Sequence, residues 1–200
     1  MLERARTVGN PSLAAIHPVE EMEAASSVVH ALVERAAAGD VDAFRRLFDR
    51  YAERVHRYAA VRLARGDDAE DALQEVFLAV WRGLPDFEDR HDGAFPAWVF
   101  GIARNVVAGR VRRAIRTRTL PIEDAREGAV EFESMVVSRR VLVDALERLP
   151  EAQREVVLMR FVAGLRSREV AEALGRSEAA VVALQMRALE RLRRDLGEAR

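Results

Sequence analysis

Residues 95–118 read FPAWVFGIARNVVAGRVRRAIRTR and combine the pattern of a packed helix with that of a cationic surface. Two apolar stripes at three- and four-residue spacing run along the stretch, the first starting at Phe95. It also holds six arginines and no acidic residue. Because a helix turns by about 100° per residue, Arg112, Arg113 and Arg116 fall opposite the second stripe. The stretch therefore predicts a helix that packs on one side and presents positive charge on the other.

The composition around this helix is that of a folded, helix-rich protein. Of 200 residues, 50% are hydrophobic and 32% are charged, which is typical of globular and not of disordered chains. Cysteine is absent, which excludes a disulfide scaffold, a thiol nucleophile and a thiolate metal site. The net charge is only -1, whereas strong independent DNA binders carry a cationic surplus that neutralises phosphates. Any contact with DNA is therefore expected to be local and to need help from a partner.

Helix-breaking residues and runs of like charge divide the chain into four segments. Residues 1–29 lack sustained periodicity and predict a flexible extension, with a short helix near Val19–Ser27. Residues 30–118 predict a first helical domain. Residues 119–133 carry five acids against one arginine, together with proline and glycine, and predict a flexible acidic linker. Residues 134–200 predict a second helical domain. The expected fold class is all-α, with two small helical domains.

Helix-capping residues and helix-ending glycines predict the bounds of the helices within these domains. In the first domain, one helix begins near residue 30, a second follows the cap Asp40, and a third runs from Gly66-Asp67 to Gly83; the quoted stretch is the fourth. In the second domain we expect helices at about 134–148, 151–163, 167–174 and 178–195. Residues 167–194, SREVAEALGRSEAAVVALQMRALERLRR, are typical of a helix–turn–helix, because Gly175 permits the left-handed turn between two closely crossing helices. An ordinary helical hairpin fits this segment as well.

The two halves together resemble a bacterial sigma factor of the extracytoplasmic-function (ECF) class. The resemblance covers roughly residues 30–195. It is carried by DDAEDALQEVFLAVWRGLPDF and AFPAWVFGIARN, which are similar to region 2 of that class, and by ALERLPEAQREVVLMRFVAGL with REVAEALGRSEAAV, which are similar to region 4. It implies a dissociable promoter-specificity subunit of RNA polymerase with no catalysis of its own. The first domain would match region 2 and the second the helix–turn–helix of region 4.

The resemblance assigns a polymerase-binding role to Asp71, Gln74 and Glu75. These residues match the region 2 surface that docks on the clamp helices of the largest polymerase subunit. The acids around them, from Asp67 to Asp71, also complement the positive end of their own helix. Metal ligation by these acids is disfavoured, because the four histidines are scattered along the sequence. No cofactor or metal is expected.

The resemblance also assigns residues to the minus-ten promoter element. The loop 86–94 and the helix after it match the family's reader, with Phe87 and Asn105 where the family holds a base flipped from the non-template strand. An aromatic ring and an amide suit such a base chemically, although Phe87 fits a core-filling role nearly as well. Arginines of the quoted helix would hold backbone phosphates. Those assigned to this role are Arg104, Arg112, Arg113 and Arg116.

The second domain would face the minus-thirty-five element, because recognition helices insert their N-terminal half into the major groove. The residues assigned to this contact are Arg176, Ser177, Val182, Gln185, Met186 and Arg187. Residues 182–184 read Val-Ala-Leu, where many relatives carry basic and polar residues. The sequence departs from the commoner family pattern at these positions.

The expected partners are core RNA polymerase, through its clamp helices and the flap of the second-largest subunit, promoter DNA and an anti-sigma factor. No secretion signal or membrane span is recognisable, so we expect a cytoplasmic protein. One alternative is a helix–turn–helix regulator that binds duplex operator without polymerase. A second is a nuclease that uses the acids of residues 67–71, although no nucleophile motif supports it.

Overall fold

The computed structural model describes residues 18–63, 66–117 and 133–197, and the secondary structure in these ranges is helical, with no strand. A short 3₁₀ turn, Leu84–Asp86, follows the third helix, and a π-helical turn, Leu158–Val162, follows the sixth. None of the helices in these ranges has the length and apolarity needed to cross a membrane. The α-helices are α1 (Pro18–Ala37), α2 (Val41–Arg62), α3 (Gly66–Gly83), α4 (Ala94–Thr117), α5 (Glu133–Arg148), α6 (Glu151–Val157), α7 (Ser167–Ala173) and α8 (Glu178–Gly197).

Local sequence signals account for several helix boundaries. The side chain of Asp40 accepts a hydrogen bond from the backbone N–H of Ala43 at 3.0 Å, which caps α2 as predicted. Ser177 caps α8 in the same way, accepting from the N–H of Ala180 at 3.2 Å. Gly175 has a φ of +61°, so the turn between α7 and α8 uses the left-handed conformation that glycine permits.

Two helices differ from the expectation. The short N-terminal helix and the helix expected near residue 30 are one continuous helix, α1, because no glycine or proline interrupts the chain between Pro18 and Gly39. The helix expected at 151–163 is α-helical only to Val157. It then widens into a π turn, closed by a hydrogen bond from the N–H of Ala163 to the carbonyl of Leu158.

An aromatic core holds α2, α3 and α4 together. Phe44 packs edge-on against Trp81 with ring centroids 4.8 Å apart, and Tyr51 packs in the same manner against Phe95 at 5.5 Å. Tyr58 lies fully buried beside Phe100. Helices α1–α4 form the N-terminal domain, in which α1 packs on α2 and α2 and α3 pack on each other.

The C-terminal domain consists of α5–α8 and packs directly against the N-terminal domain. Within it, α8 contacts α5, α6 and α7, and Val170, Val181 and Ala188 are buried. Helix α7 lies against α4, and the buried apolar residues of the two domains form one continuous cluster. The sequence predicted two domains on a tether but gave no sign of this packing. All but the last residue of the predicted linker lies outside the described residues.

Candidate nucleic-acid interface

Helix α4 presents an exposed cationic end, as its sequence pattern predicts. Arg112, Arg113 and Arg116 are all exposed. Asn105 is exposed two turns earlier, and its spacing of seven residues from Trp98 places both on the same side of the helix. This face therefore offers an amide followed by guanidinium groups, which suits a phosphate backbone with bases beside it.

Arg104 lies on a different side of α4 from the other predicted phosphate ligands. It stands about 100° around the helix from Asn105. It is half-buried and close enough to Tyr58 that its positive charge counteracts part of the rise in the pKa of that phenol, which burial and Glu155 produce. Arg104 thus faces the neighbourhood of the C-terminal domain. Its role as a phosphate ligand stays a prediction.

Phe87 belongs to an aromatic cluster at the start of the predicted minus-ten loop. Its ring stacks on Trp98 with centroids 4.5 Å apart and an interplanar angle of 26°, and meets Phe95 edge-on at 5.7 Å. The cluster is tight, because a Cβ atom added at Gly83 would lie 2.8 Å from the indole of Trp98. Phe87 is half-buried, so both proposed roles remain compatible with its position.

The rest of this loop is anchored from two sides. On the α1 side, Asp89 binds Nδ1 of His30 at 2.8 Å, and Asp92 accepts a hydrogen bond from Ser26. On the other side, Arg166 of the C-terminal domain donates to Asp92 at 2.9 Å. Arg166 and then Ser26 lower the pKa of Asp92, and the hydrogen bond that His30 makes to the Asp89 carboxylate raises the pKa of His30. The loop is therefore held by side chains of α1 and of the C-terminal domain.

The predicted polymerase-binding residues lie on one side of α3. Asp71 and Gln74 are exposed and Glu75 is partly exposed. Arg110 of α4 reaches across to this surface, with its Nη2 3.0 Å from Glu75 and its Nη1 3.7 Å from Asp71. Sequence reasoning gave Arg110 no part in the polymerase-binding surface. Its separation from Glu75 by 35 positions hides the contact, and only the packing of α3 on α4 reveals it.

Helix α8 carries the residues predicted to face the minus-thirty-five element. Val182 and Met186 are 43% and 67% exposed and lie one turn apart, so they form a small exposed apolar pair on α8. Gln185 accepts a hydrogen bond from Nε of Arg160 at 3.1 Å, so that Arg160 joins the same surface. Arg187 donates to the carbonyl of Ala183 within the helix, and Arg176 and Ser177 are exposed before it.

No group of three or more histidine or acidic side chains that could hold a metal ion occurs within the described residues. The acids proposed for a nuclease instead include Asp71, which has Arg110 as a partner. This arrangement suits an electrostatic docking surface better than a hydrolytic centre.

Comparison with known proteins agrees with this geometry. Residues 47–117 match the family described as Sigma-70 region 2, and residues 139–192 match Sigma-70, region 4. The chain is 36% identical over 178 residues to the ECF RNA polymerase sigma factor SigD of Mycobacterium tuberculosis, with 83% of this chain and 82% of SigD covered. It is 39% identical over 170 residues to the ECF RNA polymerase sigma factor BldN of Streptomyces coelicolor, of which it spans 64% while 82% of this chain is covered.

The fold is similar to that of CnrH, solved in complex with the cytosolic domain of CnrY. The TM-score is 0.68 at 28% identity, and the match covers 86% of this chain and 98% of CnrH. Two helical domains, one matching region 2 and one matching region 4, define the class of RNA polymerase sigma factors. The chain belongs to the ECF RNA polymerase sigma factors.

Proposed function

We propose that the N-terminal domain reads the minus-ten element and starts promoter melting, and that the C-terminal domain reads the minus-thirty-five element. The observation that carries this division is the presence of two separate exposed surfaces whose side chains suit contact with DNA. One is the α4 face with Asn105, Arg112, Arg113 and Arg116, and the other is the N-terminal half of α8. The α4 face is cationic only locally and the α8 surface is weakly cationic, but two modules on one chain gain affinity through effective concentration.

The partner polymerase supplies most of the affinity and all of the catalysis in this proposal. Asp71, Gln74 and Glu75 would dock on the clamp helices of the largest subunit, and the C-terminal domain on the flap of the second-largest. The net charge of -1 supports this dependence, because the free protein lacks the cationic surplus of an autonomous DNA binder. A protein that works on promoters with polymerase is expected in the cytoplasm.

An anti-sigma factor is the expected regulator. CnrH was captured with the cytosolic domain of CnrY, and the similarity to CnrH spans both domains of this chain. The exposed acids on α3 and the exposed apolar residues of α8 are surfaces that such a partner could cover.

Reconstitution with core RNA polymerase from a related bacterium tests the function. The protein and core are mixed with a pool of genomic promoter fragments, and the 5′ ends of the transcripts are sequenced. We expect discrete start sites that appear only with the protein and share paired upstream elements. A matched variant, Glu75→Gln, is expected to lose initiation in parallel with core binding, whereas Glu53→Gln, at an exposed site on α2, keeps both.

The alternative regulator makes a different prediction in the same assay. It binds a duplex operator tightly without polymerase and adds no new start sites. If the protein fails to bind core and binds duplex fragments by itself, the polymerase-dependent function is wrong and the regulator replaces it.

A further inference from the structure

The predicted minus-ten loop runs in an extended conformation, so its side chains alternate between two sides. Residues 87–90 belong to no helix or turn, and Phe87 has an extended backbone with a φ of -79° and a ψ of 126°. The side chain of Asp89 is 13% exposed, whereas those of Glu88 and Arg90 beside it are 71% and 75% exposed. This is the two-residue period of an extended chain. Phe87 and Asp89 thus face inward, and Glu88 and Arg90 face outward.

The backbone of the loop does not fix this alternation. Its backbone hydrogen bonds lie at the two ends, from the N–H of Phe87 to the carbonyl of Leu84 at 3.1 Å and from the N–H of Ala94 to the carbonyl of His91 at 3.0 Å. Within the described residues, no hydrogen bond between backbone groups holds residues 88–90. A slip of one residue would exchange the inward and the outward side chains. Side-chain contacts must therefore determine which residues of the loop face outward.

Two side chains of α1 make contacts of this kind. Nδ1 of His30 donates to Asp89 at 2.8 Å, and the hydroxyl group of Ser26 donates to Asp92. Ser26 and His30 are four residues apart, so they lie on one face of α1, about 6 Å apart along its axis. The two acids that they bind are three residues apart and follow in the opposite chain direction. A slip of one residue would leave Ser26 without a carboxylate partner, so this pair of contacts fits one register of the loop.

The contact of His30 with Asp89 is the more selective of the two. Asp92 has a second partner in Arg166 at 2.9 Å, whereas His30 is the only hydrogen-bond partner of the Asp89 side chain within the described residues. Glu34, one turn further along α1, lies 3.3 Å from Nε2 of His30, so both nitrogens of the imidazole face carboxylates. His30 and Asp89 both belong to the N-terminal domain. Their contact therefore holds the loop independently of the C-terminal domain.

The outward side chains of the loop form an ordered polar pair. Arg90 donates to Glu88 through Nε at 2.8 Å and through Nη2 at 2.6 Å. A guanidinium fork and a carboxylate offer donors and acceptors of the kind that bind the edges of bases. The loop presents this pair only in the register that α1 holds.

We propose that Ser26 and His30 of α1 are positioning residues for the minus-ten loop, and that their contacts with Asp92 and Asp89 determine the base preference of this protein at the minus-ten element. They act through the loop and contact no base themselves. This inference rests on the proposed function, because it requires the loop to read that element. Ion pairs and hydrogen bonds at partly exposed positions are individually weak, so their loss loosens the loop without unfolding the domain.

Transcription from a promoter library tests this proposal. A promoter identified by start-site mapping is randomised across its minus-ten element, and each member carries a barcode in its transcribed region. Sequencing of the transcripts made with core polymerase then gives the preference for each base. His30→Leu is expected to lower the preference for the favoured bases by about two- to five-fold. His30→Asn keeps an N–H donor near the position of Nδ1 and is expected to restore most of it. Ser26→Ala is expected to lower the preference, whereas Ser27→Ala, at the exposed neighbouring position, is the matched control and should keep it.

A double-mutant cycle tests the pairing of His30 with Asp89. Asp89→Asn is expected to lower the base preference of the wild type and to add nothing in the His30→Leu protein. The base positions affected should be those that Arg90→Ala also affects, because the contacts act through the outward side chains. An equal effect of Asp89→Asn in both backgrounds would overturn the proposal.

Each outcome of the library assay has a distinct meaning. If the wild type shows a preference at the minus-ten element and His30→Leu and Ser26→Ala keep it, the positioning role is wrong. An equal loss of transcript for every base also contradicts the proposal, because a purely structural role would have that effect. If His30→Leu no longer binds core polymerase, Ser26→Ala, which removes a single oxygen atom, decides in the same assay. If the wild type itself initiates nowhere or shows no preference at this element, the proposed function is wrong and the inference falls with it.

Discussion

Two ion-pair clusters in this protein use the same chemistry in opposite environments. Arg62 and Glu155 meet between the domains, with side chains that are almost inaccessible to water. Arg110 and Glu75 meet between α3 and α4 within the N-terminal domain, where Glu75 is 42% exposed. The buried cluster joins residues 93 positions apart, at an interface where the two domains also share one apolar cluster. The exposed cluster joins helices that already pack through apolar residues.

The difference shows that burial decides how much the loss of one partner of an ion pair costs. A buried pair contributes little net stability compared with an apolar contact, but losing one partner leaves a desolvated charge. An exposed pair is screened by water and salt, so either partner is replaced at small cost. We therefore expect the buried cluster to determine the domain arrangement. We expect Glu75 of the exposed cluster to be able to give up its pairing with Arg110 and bind an external partner instead.

The largest expected effect comes from breaking the buried pair. Glu155→Ala leaves Arg62 without its main partner and is expected to lower the free energy of unfolding by about 3 kcal/mol, unless the domains separate and water reaches the guanidinium group. Urea unfolding, followed by the near-ultraviolet circular dichroism of the buried aromatic residues, measures this change. Glu75→Ala is the matched control, with an expected loss below about 1 kcal/mol. Equal losses in the two variants would contradict the comparison.

A second effect concerns the aromatic packing between the end of α3 and the start of α4. Gly83→Ala places a methyl group 2.8 Å from the indole of Trp98, so the stack of Phe87 on Trp98 must shift. We expect overpacking of this kind to cost about 1–3 kcal/mol in thermal or urea unfolding. Gly197→Ala, near the end of α8 in open space, is the control and should be neutral or stabilising. An unaltered stability for Gly83→Ala would mean that the loop accommodates the ring elsewhere.

A third effect concerns the charge of Glu75 and the binding of core polymerase. Glu75→Gln keeps the shape of the side chain but removes the charge that pairs with Arg110, and is expected to weaken binding to core polymerase about ten-fold, or about 1.4 kcal/mol. The thermal midpoint should stay within a few degrees of wild type. Fluorescence anisotropy with labelled protein measures the affinity. If Glu75→Gln binds core as tightly as wild type, the polymerase-binding role of this surface is wrong.

The smallest expected effect depends on pH. The hydrogen bond from His30 to the Asp89 carboxylate raises the pKa of His30 above its usual 6.5, with Glu34 also nearby. A raised pKa in the folded state means that the contribution is fully present below 6.5 and is lost as the pH rises through the folded value. Because His30 is exposed, His30→Gln should cost less than about 1 kcal/mol at pH 5.5 and nothing measurable at pH 9. A larger cost at pH 9 than at pH 5.5 would contradict the assigned contact.

The sequence predicted the helices and the two candidate DNA surfaces because these depend on local patterns. Asp40, Gly175 and Ser177 act within a few residues of their own positions, so their roles are readable from spacing. The contact of the two domains was not predicted. Tyr58 and Arg62 read as ordinary members of an amphipathic helix, and no periodicity links them to Glu155 on another domain. The partner of Arg110 was missed for the same reason.

We expect this protein to recognise promoters only together with polymerase. The most direct measurement compares the binding of the protein alone, and of the protein with core polymerase, to one promoter identified by start-site mapping. Permanganate reactivity of unpaired thymines reports melting on the same fragment. We predict weak binding and no reactivity for the protein alone, and tight binding with reactive thymines at the minus-ten element once core is added. Tight duplex binding by the protein alone, unchanged by core, would contradict the account.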